Sequence, residues 1–301
     1  MYRTPILFLI FARPDTTRRV FERIKQIQPT KLYIAADAPR ENRSDEIKRS
    51  QETRHIIDLI DWPCEVHTLF RDTNLGCKMA VSTAISWFFE CEEYGVILED
   101  DCLPDLSFFP FCEELLLKYK DDERIGHIGG NNFLRNDVKS EYSYDFCSVS
   151  HIWGWASWRR VWKDYDVNFP YWNEVRDDKY KRKGLFRNLK EEIYFSTFLS
   201  DVLGGNRGIN TWDAQYFFMH RLQNRLSIYP MVNLVTNIGL HSIEATHTTA
   251  RNDDLFVPSE EMKFPLKHPV YIKANVEIDD FTVAHQFFSY KRLVRYFLGM
   301  Y

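Results

Sequence analysis

The sequence predicts an α/β protein built on a mostly parallel central sheet flanked by helices. Two observations carry that prediction. Apolar runs without alternation recur through the first hundred residues, and stretches of helical periodicity separate them. A strand covered on both faces needs continuous apolarity, not an in/out alternation. Repeated strand–helix–strand order joins such strands in parallel through right-handed crossovers.

The elements follow in order. Ile6–Phe11 is the first buried strand, and Asp15 is placed to cap a helix carrying Val20, Phe21, Ile24 and Ile27. Lys31–Ala36 is a second strand, closing on Asp37-Ala38-Pro39, and Ser44 is placed to cap a polar helix through Ile60. Cys64–Phe70 is a third strand, Asn74–Cys91 a helix, and Val96–Leu98 a fourth strand that runs into Glu99-Asp100-Asp101. The second half is less regular. Asp105–Lys120 reads as a helix and Ile125–Ile128 as a strand ending in Gly129-Gly130-Asn131-Asn132. Trp153–Trp158 opens a helix through Trp162, and Asp166–Lys183 is polar and turn-rich. Asn210-Thr211-Trp212-Asp213 precedes a helix, Ser227–Val232 is a short strand, and Gly239–Asp254 is a polar loop. With no repeat or linker, the chain reads as one domain. Residues 1–128 form the regular half, 129–255 the less regular half and 256–301 a C-terminal extension.

Composition narrows the function. There are 39 Lys+Arg against 43 Asp+Glu, a net charge of -4, which argues against a nucleic-acid binder with its basic excess. No apolar run approaches the roughly 18 residues of a spanning helix. Ile6–Ala12 is followed by Arg13-Pro14-Asp15 and lacks a small-residue cleavage site, so it reads as a strand and not a leader. The six cysteines form no CxxC pair; reduced thiols and a cytoplasmic location are expected. The segment Phe287–Leu298 mixes cations and aromatics at helical spacing. It can lie peripherally on the inner face of an anionic membrane, or pack as a terminal helix with a basic outer face.

Ligands of open α/β sheets sit beyond the carboxyl ends of the strands. Arg13, Asp37, Arg71 and the acidic triplet all fall at such ends. Three adjacent carboxylates repel one another unless solvent or a cation relieves them, and oxygen ligands of this kind suit Mg²⁺ or Mn²⁺.

The segment Gly95–Phe109, with its Glu-Asp-Asp triplet followed by Pro104-Asp105 and Phe108-Phe109, resembles the metal-binding strand end of GT-A nucleotide-sugar glycosyltransferases. It is especially similar to the N-acetylglucosaminyltransferase I type. Pro5–Asp15, Asn210–Tyr216 and Pro230–Thr249 resemble the family's first strand, Trp-Asp segment and closing loop, in the same order. Trp153–Trp158 is similar to the Trp-Gly-Trp-Ala-Ser/Thr-Trp motif of bacterial surface-polysaccharide transferases.

The resemblance implies an inverting, metal-dependent transferase that moves a sugar from a UDP-sugar, UDP-GlcNAc or a related hexose. The acceptor would be a hydroxyl of a glycan or lipid-linked saccharide. Asp101 would bind the cation, Asp100 the ribose and Glu99 the donor sugar. Arg13 and Asp37 would hold uracil and ribose, with Arg71 near the nucleotide. Asp213 would be the general base, or else would cap the helix that follows it. Of His241 and His247, the second is favoured for the metal or a phosphate. Trp155 and Trp212 would stack on sugars, or else belong to the core. Asn131 would lie near the acceptor. Two other classes stay open. Sugar-nucleotide nucleotidyltransferases carry a glycine-rich turn after the first strand, and here that turn is Ala12-Arg13-Pro14-Asp15. A non-catalytic carbohydrate-binding protein of the same fold would not need Asp213.

Overall fold

The structure is a computed structural model that describes residues 1–134, 138–203, 209–240, 255–287 and 289–299. The first half contains β1 (Ile6–Ile10), α1 (Pro14–Ile27), β2 (Lys31–Ala36), α2 (Ser44–Arg54), β3 (Glu65–Phe70), α3 (Gly76–Cys91) and β4 (Tyr94–Glu99). Then come β5 (Cys102–Pro104), α4 (Phe108–Lys118), β6 (Ile125–Gly129), β7 (Tyr144–Cys147), β8 (Trp155–Trp158) and α5 (Arg159–Trp162). The helices α6 (Tyr171–Arg176), α7 (Lys179–Leu185), α8 (Leu189–Leu203) and α9 (Asp213–Leu222) lead to β9 (Leu226–Pro230) and β10 (Val235–Asn237). The chain ends with α10 (Val276–Thr282) and α11 (Tyr290–Phe297).

Eight strands form one sheet in the order β3-β2-β1-β4-β8-β6-β9-β7. The β3-β2, β2-β1, β1-β4 and β6-β9 pairs are parallel. The β8 strand runs antiparallel between β4 and β6, and β7 is antiparallel to β9. The sheet is therefore mixed, with a parallel four-stranded block at one side. The apolar strands β1 and β2 anchor that block: all five residues of β1 are buried, as are five of the six in β2. Burying each Ile, Leu or Phe side chain contributes about 1.5–3 kcal/mol. A small second sheet pairs β5 with β10, Cys102 opposite Asn237.

Several local expectations are corrected. Asp15 does not cap α1; Arg13 takes that position, Pro14 opens the helix, and Asp15 sits in the first turn. Ser44 is the first helical residue of α2 and Arg43 precedes it; the α-helix stops at Arg54 and a tighter 3₁₀ turn carries it to Leu59. Trp155–Trp158 is the central strand β8, and the helix through Trp162 is only the short α5, for which Trp158 is the N-cap residue. All four of its residues are buried, because helices or loops cover both faces of a central strand. The polar stretch after Asp166 holds two short helices, α6 and α7.

The C-terminal segment is helical, but its two arginines turn inward, and of its cations only Lys291 is exposed. Arg295 makes a two-pronged pair with Asp201 of α8, at 2.9 and 2.6 Å. Arg292 reaches Thr197 Oγ1 at 3.0 Å and lies over the Tyr194 ring. Among the described residues no helix is long and apolar enough to cross a membrane.

Candidate active site

Strand order reverses at β1, which has β2 on one side and β4 on the other. That switch point is where open α/β sheets hold ligands. Leu9 pairs with Glu99, so the chain leaves β1 opposite Asp100. The Phe11 amide donates to Asp100 Oδ2 at 2.7 Å. Ala12 then adopts a left-handed backbone, φ 46°, which turns the chain into α1. Arg13 Nη1 reaches Asp101 Oδ2 at 2.6 Å and Asp100 Oδ1 at 3.3 Å. One guanidinium thus faces three consecutive carboxylates. Burial, and then the neighbouring carboxylates, raise the Glu99 pKa; burial also raises Asp100, against the pull of Arg13.

The β5–β10 pair brings a second segment against the triplet. The Ile238 amide donates to the Asp101 carbonyl at 2.8 Å. Gly239 follows, and a Cβ placed there would lie 2.4 Å from Asp101 Oδ2. Only glycine lets the backbone approach the carboxylate this closely. Gly239→Ala is expected to displace the Asp101 carboxylate and to cost about 1–3 kcal/mol in stability, as overpacking does. Urea unfolding of the parent and the variant checks this.

Asp213 opens α9 and faces the same end of the sheet. Its charge acts on Glu99 and on Cys77 in the first turn of α3. Its Oδ1 accepts from the Thr211 hydroxyl and from the Ala214 amide at 2.9 Å. Asp213 therefore braces the start of its helix as well as facing the cluster. The residue before it is the anchor. Trp212 stacks on Trp155 at 5.8 Å, and Trp155 stacks on His127 at 5.4 Å.

The remaining expected residues are placed differently. Trp155 and Trp212 are 0% and 2% exposed, so they form a core wall behind Asp213 and offer no face to a sugar. Asn131 is also buried; its Nδ2 donates to the Val235 carbonyl, and its Oδ1 has no partner among the described residues. The Gly129–Asn132 loop is packed internally. Gly130 donates to the Gly154 carbonyl and accepts from the Leu234 and Val235 amides. The Asp37 carboxylate accepts from the Ala38, Leu75 and Gly76 amides at 2.9–3.1 Å, tying β2 to the start of α3. Arg71 donates to Thr83 of α3 at 2.7 Å. His241 and His247 lie outside the described residues.

The sequence assigns no role to two residues at this end, although Asn210 lies in the Asn210–Tyr216 segment. Arg54 donates to the carbonyls of Asp37 and Arg71, at 3.1 and 2.7 Å, and so laces the ends of β2 and β3. Asn210 accepts from the Lys78 amide at the start of α3, at 3.1 Å. Both act through contacts distant in sequence, and only for Asn210 do the exposed backbone amides of a helix start hint at the partner.

A divalent cation of the Mg²⁺ or Mn²⁺ kind takes oxygen ligands, commonly one or two carboxylates completed by substrate phosphates. Among the described residues no three His, Cys, Asp or Glu side chains converge on one point. Asp101 offers one carboxylate at the rim, with Gly239 giving backbone clearance beside it. This donor set fits a cation shared with a bound diphosphate and does not fit a cation caged by protein alone. The Asp101 oxygen nearest Gly239 is also the one that Arg13 holds.

No family model and no curated protein matches the chain. Solved structures give remote likenesses. Staphylococcus aureus TarS, residues 1-349, aligns at 9% identity over 56% of this chain and 51% of its own, with a TM-score of 0.38. The apo form of mouse xyloside xylosyltransferase 1 aligns at 9% identity over 75% and 84%, TM-score 0.39. HddC from Yersinia pseudotuberculosis, complexed with GMP-PN, aligns at 10% identity over 55% and 80%, TM-score 0.32. The aligned part spans about half of the TarS chain. Identities this low assign no activity.

Proposed function

We propose that the chain is an inverting glycosyltransferase of the GT-A fold, using a UDP-sugar donor (UDP-GlcNAc or a related hexose) and Mn²⁺ or Mg²⁺. The acceptor would be a hydroxyl of a glycan or lipid-linked saccharide. The supporting observation is the convergence of Arg13, Glu99-Asp100-Asp101 and Gly239 with Asp213 at the strand-order switch point. A basic side chain and a carboxylate rim suit a nucleoside diphosphate with its counter-ion. A separate carboxylate suits a hydroxyl proton.

In this reading Asp101 holds the cation, which when bound supplies charge to the departing diphosphate. Arg13 orients the triplet and shares its charge. Glu99 and Asp100 accept hydroxyls of the donor. Asp213 takes the acceptor hydroxyl proton as the anomeric carbon is attacked from the face opposite the leaving group. Trp155, Trp162 and Tyr216 fix Trp212, and Trp212 fixes the height of Asp213 over the site.

Arg13 holds Asp101 Oδ2, so a cation bound by the Asp101 carboxylate would meet the like charge of Arg13 and compete with it. Arg13→Gln is expected to tighten Mn²⁺ binding to the ligand-free protein by roughly tenfold, the effect of removing a nearby like charge of about 1.4 kcal/mol. Asp101→Asn is expected to lose that binding. Calorimetric titration with MnCl₂ reads both. Unchanged affinity in the Asp101 variant would place the cation elsewhere.

A further inference from the structure

The terminal helix α11 is inverted relative to its expected pose. Its cationic side is inward, held by Asp201, Thr197 and the Tyr194 ring. Its outward side is apolar: Tyr290, Val294, Phe297 and Leu298 are 80%, 57%, 68% and 67% exposed. Positions 290, 294 and 297 recur at helical spacing, so they form one stripe. The charged anchor fixes the stripe in place and prevents the helix from rolling its apolar side onto the body.

A basic surface adjoins it. Tyr296 of α11 and Arg182 of α7 converge on one oxygen of Glu192, at 2.5 and 3.2 Å. The helices α7 and α11 therefore flank the first turn of α8. With Arg182 turned inward, α7 shows Lys179, Lys181 and Lys183 to solvent, around a Tyr180 that is 88% exposed. Exposed Lys291 completes the basic rim on α11.

We infer that the face formed by α7 and α11 seats the protein on an anionic phospholipid bilayer, the apolar stripe entering the headgroup boundary and the lysines meeting lipid phosphates. Two arguments select a bilayer over a second copy of the chain. The stripe exposes on the order of 400–500 Å², taking about 150–200 Å² per full side chain. A stable protein partner buries about 800 Å² per side. The lysine rim would also face itself across a symmetric pair, whereas it is complementary to anionic headgroups. The inference does not depend on the transferase reading.

Vesicle co-sedimentation of the full chain tests it. The protein should partition onto phosphatidylcholine vesicles carrying about 30% phosphatidylserine, and at least about tenfold less onto pure phosphatidylcholine. The combined variant Val294→Ser, Phe297→Ser, Leu298→Ser should lower the anionic partition at least about tenfold, as should Lys179→Glu, Lys181→Glu, Lys183→Glu. The lysine variant leaves α11 untouched, so its result stands even where the serine variant unfolds. No partition onto anionic vesicles, partition that the lysine variant leaves unchanged, or ultracentrifugation showing copies paired through the stripe would each overturn the inference.

Discussion

Asp213→Asn is expected to lower the rate of sugar transfer by about 10²–10⁴-fold while leaving UDP-sugar affinity within about threefold of the parent. A general base removed from its place contributes that much to the barrier. The amide keeps the acceptor oxygen that holds the Thr211 hydroxyl and the Ala214 amide, so the start of α9 should survive. What it loses is the capacity to take a proton. Asp213→Ala removes both, and should add a loss of about 0.5–2 kcal/mol in stability, as lost helix-start acceptors do. Initial-rate kinetics and melting curves on both variants separate the roles. Equal destabilisation by Asn and Ala, with transfer retained in the Asn variant, would make Asp213 a structural brace only.

The second large effect lies in the core. His127, His151 and His220 are buried, and burial lowers all three pKa values, to about 3 for His127 and about 4 for His151. The His220 ring has no hydrogen-bond partner for either nitrogen among the described residues. A folded pKa below the unfolded one means that the unfolded chain binds more protons. Stability from these rings is therefore complete above about pH 6.5 and is lost as the pH falls below that value. Each ring costs on the order of 1.4 kcal/mol per pH unit until its folded pKa is reached. Glu99 and Asp100 work in the opposite direction, because their folded pKa values are raised. A comparison cancels them. His220→Leu should gain on the parent by on the order of 1.4 kcal/mol per pH unit between pH 6.5 and 5, read from urea unfolding at each pH. A difference that stays constant over that range would mean that His220 protonates as readily in the folded core as in the open chain.

Most of the parallel block was legible because β1, β2 and β4 are largely continuous apolar runs, which a doubly covered strand tolerates, whereas the edge strand β3 is mixed and partly exposed. The Ile6–Phe11 run and the run ending at Leu98 also locate the ends where Arg13 and the triplet emerge, so those residues could be found from pattern alone. The central strand β8 was not legible. Its three-residue tryptophan spacing imitates a helix start, and the antiparallel insertion that makes it a strand is a long-range event. The helix α8 carries no simple stripe because most of its residues from Glu191 to Ser200 are buried, so periodicity could not mark it. Asp37 illustrates a subtler limit. Its place at a strand end was readable, but its partners are amides 38 and 39 residues further on. Trp155 and Trp212 carried a sugar-stacking signal and a core signal of equal form, and only burial distinguishes them. The inward turn of Arg292 and Arg295 likewise depends on Asp201, which nothing in the terminal segment announces.

The proposed sugar transfer from a nucleoside diphosphate donor would take place at the Arg13–Asp101–Asp213 site. Its most direct test is UDP release from a panel of UDP-sugars, with a saccharide acceptor mixture, in Mn²⁺ and in excess chelator. The account predicts release from at least one donor that depends on the cation, is raised by acceptor, and is lost in Asp101→Ala. Absence of cation-dependent UDP release from every donor, with the protein folded, would contradict it.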